Sequence, residues 1–315
     1  MEENRLGLAL SSGGARGAYE AGAVHYLAER GIIFDVVSGT SIGALNGAYY
    51  AQGDGSASHT KSLIQLWYKI AQADILQLNP TAVQSVLSSI FLNKSGALLN
   101  VLTKLVNEKI AFLDPAPIAE IIEQHISLQR IQHSTIDMIV AVLPEISPLL
   151  DIVTGHLRKA EYVQLKNISG QENLKKILLA AAAIPLAFPS QKIGNTSYAD
   201  AGLADELPAQ ILFEQGIRQI VSVFLSDVTI QNRSDFHDCT IFQIRPSINI
   251  NNGLFSTFDF SLQTIERLIE QGYHDAQKYY EEICEFSRSL ERLKKQGQLN
   301  QELADKLPVR SSIRK

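Results

Sequence analysis

The 315-residue chain is 45% hydrophobic and 19% charged, an ordinary globular composition that suits one large α/β domain or two small ones. Its formal net charge of −5, without clusters of Lys and Arg, argues against a nucleic acid as the main partner. Two cysteines, Cys239 and Cys284, are too few for a disulfide framework, which excludes the small secreted scaffolds that depend on one.

The predicted elements at the N-terminus alternate between strands and helices. Residues 6–10 form a short apolar strand, 18–29 a helix that ends at Gly31, and 32–38 a second buried strand. This order is typical of a parallel sheet with crossover helices. We therefore predict an α/β fold with a central, mostly parallel sheet.

The rest of the chain continues the pattern. Further strands are predicted at 136–143, 161–165, 219–225 and 240–245. Helices are predicted at 62–71, 98–109, 117–125, 172–183, 208–215 and over much of 258–295, with 54–60 a polar loop. We expect a single domain over residues 1–306, with a helical C-terminal region at about 255–306 and a flexible tail at 307–315.

The segment Gly39-Thr40-Ser41-Ile42-Gly43 follows the second strand and precedes a helix-compatible stretch. Glycines two residues either side of a serine let the chain turn sharply from a strand into a helix. The side chain between them is then held out at the end of the strand, as in the nucleophile elbow of serine hydrolases. Ser41 is therefore a candidate nucleophile for acyl transfer.

A glycine-rich loop, Ser-Ser-Gly-Gly-Ala-Arg-Gly at residues 11–17, follows the first strand and opens the first helix. Its backbone N–H groups and the helix behind it favour binding of an anion. The loop lacks the Gly-Lys-Ser/Thr ending of a P-loop, so the oxyanion of an acyl-transfer intermediate fits better than a nucleotide phosphate. For Arg16 the sequence leaves two roles open: a helix-surface residue, or a residue that steadies the loop and meets a lipid phosphate.

A third motif, Tyr198-Ala199-Asp200-Ala201-Gly202, follows the approach Ala-Ile-Pro-Leu-Ala-Phe-Pro at 183–189. Together the three segments resemble the patatin-like phospholipase family, which has a Gly-rich oxyanion loop, a Gly-x-Ser-x-Gly elbow and an Asp-Gly-Gly/Ala motif in this order. The resemblance runs from Leu6 to about Pro208 and is weakest between Asp54 and Leu165. It implies a three-layer α/β/α sandwich.

The resemblance also implies a Ser/Asp dyad, with Ser41 the nucleophile and Asp200 the base. It assigns the backbone donors of the oxyanion hole and, around the three motifs, a set of supporting residues. The donors are Gly13, Gly14 and Ala15, and the supporting residues are Arg16, Gly17, Gly39, Gly43 and Gly202. Ser12 and Ala201 stand where the family usually has glycine, and Ala201 would be strained if its position required a positive φ.

The implied substrates are phospholipids or other fatty-acyl esters, cleaved by phospholipase A or lysophospholipase activity without a metal or cofactor. Two other functions stay open: a small-ester hydrolase or thioesterase on the same scaffold, and a non-catalytic lipid- or anion-binding module. A Ser-His-Asp triad is the alternative mechanism, because His237 and His274 follow Asp200 in the chain.

An amphipathic stretch at 96–110 is a candidate lid or acyl-pocket wall, although such a stretch is more often an ordinary core helix. The candidate aromatic residues of an apolar site are Phe91, Phe112, Phe255 and Phe258.

The N-terminus is acidic where a secretory signal would be basic, and the longest apolar stretch, 177–188, has 12 residues. From these features we expect a cytoplasmic protein that contacts membrane surfaces transiently, although export without a cleavable signal stays open.

Overall fold

The computed structural model describes residues 5–73, 75–78, 111–145, 159–185, 187–226, 236, 238–250 and 254–306. The predicted helix at 98–109 and the predicted tail at 307–315 lie outside these ranges.

Eight strands form a single sheet. They are β1 (Leu6–Leu10), β2 (Val36–Thr40), β3 (Asp137–Glu145), β4 (Glu161–Gln164), β5 (Gln191–Ile193), β6 (Thr196–Asp200), β7 (Gln219–Val223) and β8 (Thr240–Ile244). The order is β5-β6-β3-β2-β1-β7-β8, with β4 also paired to β3. Strands β3, β2, β1, β7 and β8 are parallel, whereas β4 and β6 run antiparallel to β3, and β5 runs antiparallel to β6.

The described helices surround this sheet. They are α1 (Gly17–Glu29), α2 (Ile42–Ala51), α3 (Ala57–Gln72), α4 (Ala116–His125), α5 (Leu128–His133), α6 (Gln171–Ala181), α7 (Ala209–Glu214), α8 (Leu254–Thr257) and α9 (Leu262–Lys306). None of the helices in these ranges is long and apolar enough to cross a bilayer.

Apolar side chains alternate between the two faces of the sheet, as the pleat of a strand requires. Leu8 and Leu10 of β1 pack into the large core beneath α1, α2, α3, α6 and α9, while Ala9 packs into a smaller core beneath α7. In β2, Val37 packs into the large core and Val36 into the smaller one. The expected mostly parallel sheet between helical layers is confirmed, and among the described helices α7 packs on the face that carries the smaller core.

The structure and the local predictions differ at several places, of which three are described. The loop predicted at 54–60 ends early, because Ser56 caps α3 by accepting a hydrogen bond from the backbone N–H of His59 at 3.2 Å. The second strand begins at Val36 rather than Ile32, since the N–H of Ile32 still bonds the carbonyl of Leu27 at the end of α1. Strand β5 was not predicted, and it pairs with β6 as a hairpin.

Helices α1 and α9 approach each other closely at Gly272. A Cβ atom there would overlap the carbonyl oxygen of Tyr19. The Tyr19 hydroxyl also donates to the buried carboxylate of Asp275 at 3.1 Å, so the contact is polar as well as close. Backbone-to-backbone packing of this kind leaves no room for a methyl group.

We expect Gly272→Ala to lower the free energy of unfolding by about 1 to 3 kcal/mol, as overpacking does elsewhere. A decrease in stability would be informative, because alanine is intrinsically favoured over glycine in a helix by about 1 kcal/mol. Chemical denaturation should be compared with that of Glu270→Ala, which changes an exposed position of the same helix. Unchanged or increased stability in Gly272→Ala would show that the helices do not pack this closely.

Candidate active site

The glycine-rich loop and Ser41 meet at one edge of the sheet. Strands β1 and β2 are adjacent and parallel, with Leu10 level with Gly39, so both end on the same side. The loop that leaves β1 and the turn that leaves β2 are therefore neighbours. The carboxyl ends of parallel strands are where ligands bind in open α/β sheets.

Ser41 lies in a sharp turn between β2 and α2. Its φ is 56° and its ψ is −123°, a conformation that L-residues rarely adopt. The two flanking glycines make the turn possible, since a Cβ at Gly39 would overlap the carbonyl oxygen of Gly43. A Cβ at Gly43 would lie 2.6 Å from the carbonyl oxygen of Leu10. This is the local geometry that the Gly-x-Ser-x-Gly spacing predicts.

Asp200 reaches the same edge of the sheet on a strand that runs in the opposite direction. It ends β6, which runs antiparallel to β3, and it pairs with Val142, while Thr40 of β2 pairs with Ala141. Ser41 and Asp200 are thus level with each other on either side of β3. The Ser41 hydroxyl lies close enough to the Asp200 carboxylate to lower its pKa as a hydrogen-bond donor, and the Gly202 N–H donates to Asp200 Oδ1 at 2.7 Å.

Burial shapes the electrostatics of this pair, because Ser41 and Asp200 are each only 4% exposed. Desolvation raises the pKa of Asp200 from an ordinary 3.8 to about 6, against the opposing effect of the hydrogen bonds from Ser41 and Gly202. The carboxylate is therefore a stronger base than an exposed aspartate and is still mostly ionised at neutral pH.

The loop at 11–17 presents backbone donors beside Ser41. Gly14 has a φ of 58°, and a Cβ there would overlap the carbonyl oxygen of Thr257. Within the part of the chain that the structure describes, the N–H groups of Gly13, Gly14 and Ala15 have no acceptor. Free backbone donors next to a candidate nucleophile are the arrangement an oxyanion hole needs.

Arg16 supports this loop and is not a helix-surface residue. Its side chain is buried, donating from Nε to the Gly13 carbonyl at 3.2 Å and from Nη1 to the Leu225 carbonyl at 2.9 Å. Burial lowers the pKa of the guanidinium, and the charge of Glu206 opposes that effect. The arginine therefore holds the loop against the segment that follows β7.

The two departures from the family pattern fit the backbone. Among the described residues other than glycine, only Ser41 and Asp238 have a positive φ, so Ala201 is not strained. Ala201 is fully buried, and Ser12 packs against the turn at Gly202, where a Cβ would lie 3.1 Å from the Ser12 hydroxyl oxygen.

The turn after Asp200 is anchored to the ends of β1 and β2. The Ser12 N–H donates to the Glu206 carbonyl at 2.9 Å, and the Thr40 hydroxyl donates to the Asp205 carbonyl at 2.9 Å. Sequence reasoning missed this segment, because nothing in a short polar stretch shows which carbonyls will accept distant donors. These bonds fix Asp200 relative to the elbow and the loop.

Sequence reasoning also missed a buried carboxyl behind the loop. Glu20 of α1 accepts from the Ser11 N–H at 2.7 Å and from Asn46 Nδ2 at 2.9 Å, and Asn46 Oδ1 accepts from Trp67 Nε1 at 3.0 Å. Burial raises the pKa of Glu20 to about 8, although both hydrogen bonds favour its ionised form. The network joins the glycine-rich loop to α2, the helix that follows Ser41.

Two cavities meet at Ser41. The first, which we call the apolar pocket, is lined by Gly14, Ser41, Ile42, Leu45, Trp67, Ile70, Ile75, Leu76, Ile118, Ile121, Ala182, Ile184, Phe188, Thr257, Phe258 and Phe260. The second, the polar pocket, has a volume of about 350 Å³ and is lined by Ser12, Gly13, Gly14, Arg16, Ser41, Ile184, Pro185, Asp200, Gly202, Leu203, Glu206, Ser226 and Thr257.

Of the candidate aromatic residues, Phe258 lines the apolar pocket and Phe112 does not. Phe91, the side chain of Phe255 and the whole stretch at 96–110 lie outside what the structure describes. Trp67 and Phe260, whose rings stack at 6.3 Å, line the pocket and were not expected.

None of the described histidines lines either pocket at Ser41. His274 lies on α9 with its ring 5.9 Å from that of Tyr273 and lines neither pocket, and His237 is outside the described residues. Among the residues that line the two pockets, Asp200 is the group that contacts Ser41 and can accept its proton. In the described ranges, no group of three or more His, Cys, Asp or Glu is placed to hold a metal ion.

Comparison with known proteins gives one family. The family model described as "Patatin-like phospholipase" matches residues 8–213. Patatin-like phospholipase domain-containing protein 6 of Mus musculus is 46% identical over 66 residues, which are 21% of this chain and 5% of that protein. Lysophospholipase nte1 of Aspergillus terreus is 53% identical over 47 residues, 15% of this chain and 3% of that protein. The chain thus matches only a small part of each relative.

Among solved structures, human GIVD cytosolic phospholipase A2 is similar with a TM-score of 0.44 at 12% identity, covering 90% of this chain and 59% of that chain. VipD from Legionella pneumophila has a TM-score of 0.43 at 12% identity, covering 89% of this chain and 67% of that chain.

Proposed function

This chain belongs to the patatin-like phospholipase family, and from that membership we propose that it is a serine acyl hydrolase that cleaves fatty-acyl esters of lipids. In this proposal Ser41 is the nucleophile and Asp200 is the general base. The backbone N–H groups of Gly13, Gly14 and Ala15 stabilise the oxyanion.

The observation that carries the proposal is the position of Ser41 where two unlike cavities meet. Apart from Ser41, Thr257 and the glycine-rich loop, the described lining of the apolar pocket is aliphatic or aromatic, and this narrow space of about 70 Å³ suits part of a fatty-acyl chain. The polar pocket contains Asp200, Arg16 and Glu206, which suits the alcohol part of a lipid ester. An ester spanning both cavities would bring its carbonyl carbon to the Ser41 hydroxyl.

In the acylation step, Ser41 Oγ attacks the ester carbonyl carbon while Asp200 takes the hydroxyl proton. The carbonyl oxygen gains the negative charge and receives hydrogen bonds from the loop N–H groups. When the tetrahedral intermediate collapses, the bond to the alcohol oxygen breaks. The alcohol leaves with the proton from Asp200, and the acyl group remains on Ser41.

In the deacylation step, Asp200 takes a proton from a water molecule that attacks the acyl carbonyl carbon. The second intermediate collapses by breaking its bond to Ser41 Oγ. The serine regains its proton from Asp200, and a fatty acid leaves. Each cycle consumes one ester and one water and returns both side chains to their starting forms.

Lipid products test the proposal. The protein is incubated with a mixed lipid extract, and released fatty acids and lysolipids are measured by mass spectrometry. We expect fatty acids to accumulate together with the matching lysolipid or alcohol. A parallel assay compares phospholipid vesicles with soluble short-chain esters, and turnover of soluble esters alone would refute the phospholipase assignment in favour of a small-ester hydrolase or thioesterase.

The pH dependence follows from the pKa of Asp200. The base must be ionised to accept a proton, and burial raises its pKa to about 6. We therefore expect kcat/KM for a soluble ester to be constant above this value and to fall about tenfold per pH unit below it. An acid limb near 3.8, the ordinary value, would contradict the assignment.

A further inference from the structure

A third cavity lies behind the apolar pocket. This groove has a volume of about 480 Å³ and lies between α3 and α4. It shares two of its described lining residues with the apolar pocket, Ile70 of α3 and Ile121 of α4. Both side chains are half-buried, as expected for groups with a cavity on each side. The two isoleucines therefore form a partition between the pocket and the groove.

The chemistry differs on the two sides of this partition. On the Ser41 side, Ile118 and Ile75 continue the apolar lining. On the far side the groove is mixed: Lys69, Gln77, Glu120, Gln124 and His125 line it together with apolar residues. An alkyl chain gains free energy by leaving water for the apolar side, and it gains much less beside charged and amide groups.

We propose that Ile70 and Ile121 form the end of the acyl-chain pocket and limit the length of the acyl chain that the enzyme accepts. The proposal rests on the proposed function, because it places the acyl chain of an ester held at Ser41 in the apolar pocket. Removing either branched side chain joins the pocket to the groove. The terminal methyl of a longer chain then passes between α3 and α4.

The test measures chain-length preference in Ile70→Ala and Ile121→Ala. Esters of one alcohol with saturated chains of increasing length compete in a single reaction, and the released fatty acids are quantified by mass spectrometry. We expect the ratio of kcat/KM for long chains over short chains to rise about tenfold in each variant, as for other changes of pocket length. Ile121→Val, which removes one methyl group, should shift the ratio in the same direction but less. Because this smaller change disturbs packing less, it serves as the test if Ile121→Ala does not fold.

Matched controls exist on both sides of the partition. Ile118→Ala removes an identical side chain from α4, but Ile118 lines only the apolar pocket. Gln77→Ala changes a residue that lines only the groove. Both controls should keep the wild-type chain-length profile. An equal shift in Ile118→Ala would show that pocket volume, and not the partition, sets the limit, and would overturn the proposal.

A second readout separates this proposal from the proposed function. Alkyl fluorophosphonates of increasing chain length are reacted with each protein, and the rate of modification at Ser41 is measured. Opening the partition should speed labelling by the long reagents relative to the short ones, whether or not lipids are turned over. Unchanged relative rates in folded Ile70→Ala and Ile121→Ala would overturn the partition, even if wild type hydrolyses lipids. Absence of labelling and turnover in wild type would overturn both.

Discussion

Replacing Ser41 with alanine is expected to lower kcat/KM for lipid ester hydrolysis by about 10⁴- to 10⁶-fold, the scale seen when a serine nucleophile is removed. The expectation follows from the turn that holds this side chain at the junction of the two pockets, next to Asp200 and the free N–H groups of the loop. Alanine removes the attacking oxygen and leaves the glycines around the turn in place. Release of fatty acids from vesicles is the measurement.

The matched control is Ser222→Ala, another buried serine of the same sheet. Within the described part of the chain, the Ser222 hydroxyl has no hydrogen-bond partner, so its loss should cost no stability. This variant should keep wild-type activity. If folded Ser41→Ala retained a tenth or more of the wild-type rate, Ser41 could not be the nucleophile.

Asp200→Asn should lower the rate of acylation by about 10³- to 10⁴-fold, because an amide cannot accept the Ser41 proton. The change is nearly isosteric. The asparagine oxygen can still accept from the Gly202 N–H, which now bonds Asp200 Oδ1 at 2.7 Å, while its NH₂ group faces Ser41. Single-turnover kinetics with a chromogenic ester separate loss of acylation from loss of deacylation.

The same variant should be more stable than wild type at neutral pH. The pKa of Asp200 is raised in the folded protein, so the folded state binds this proton more tightly than the unfolded chain, and stability falls as pH rises from about 4 to about 6. The change in pKa from 3.8 to about 6 corresponds to at most about 3 kcal/mol of folding stability. Wild type loses this stability as the pH rises, whereas the asparagine variant, which does not titrate, keeps it. Thermal unfolding at pH 5 and above pH 7 should show a stability advantage that grows with pH.

Lost activity together with gained stability distinguishes a buried base from a structural residue. If Asp200 only held the turn at Gly202 in place, asparagine would keep that hydrogen bond and most of the activity would be retained. His274→Ala is the companion control and should retain most activity, because His274 lines neither pocket. Collapse of activity in folded His274→Ala would instead favour a triad.

Much of the site could be predicted from local sequence. The elbow and the glycine-rich loop each follow a strand, and consecutive parallel strands with a crossover helix end at the same edge, so their meeting follows from the order of elements. Asp200 could be recognised only through its motif. It reaches Ser41 by an antiparallel strand on the far side of β3, and no local pattern specifies that pairing.

Other parts of the site depend on contacts between distant residues. Trp67 and Phe260 stack in the apolar pocket, but neither position differs locally from an ordinary core aromatic residue. Glu20 lies on α1 fully buried, and helical periodicity alone does not show that a carboxylate will find Ser11 and Asn46 as donors. The hairpin of β5 and β6 did have a signal, because Gly194 and Asn195 form a two-residue turn between the strands.

The dyad is tested most directly by covalent labelling with an active-site fluorophosphonate, followed by peptide mass spectrometry. We predict modification at Ser41 in wild type and in His274→Ala. In an Asp200→Asn variant that is folded to the same extent as wild type, we predict that this modification is lost. Modification at another serine, or undiminished labelling of Ser41 without the Asp200 carboxylate, would contradict a Ser41/Asp200 dyad.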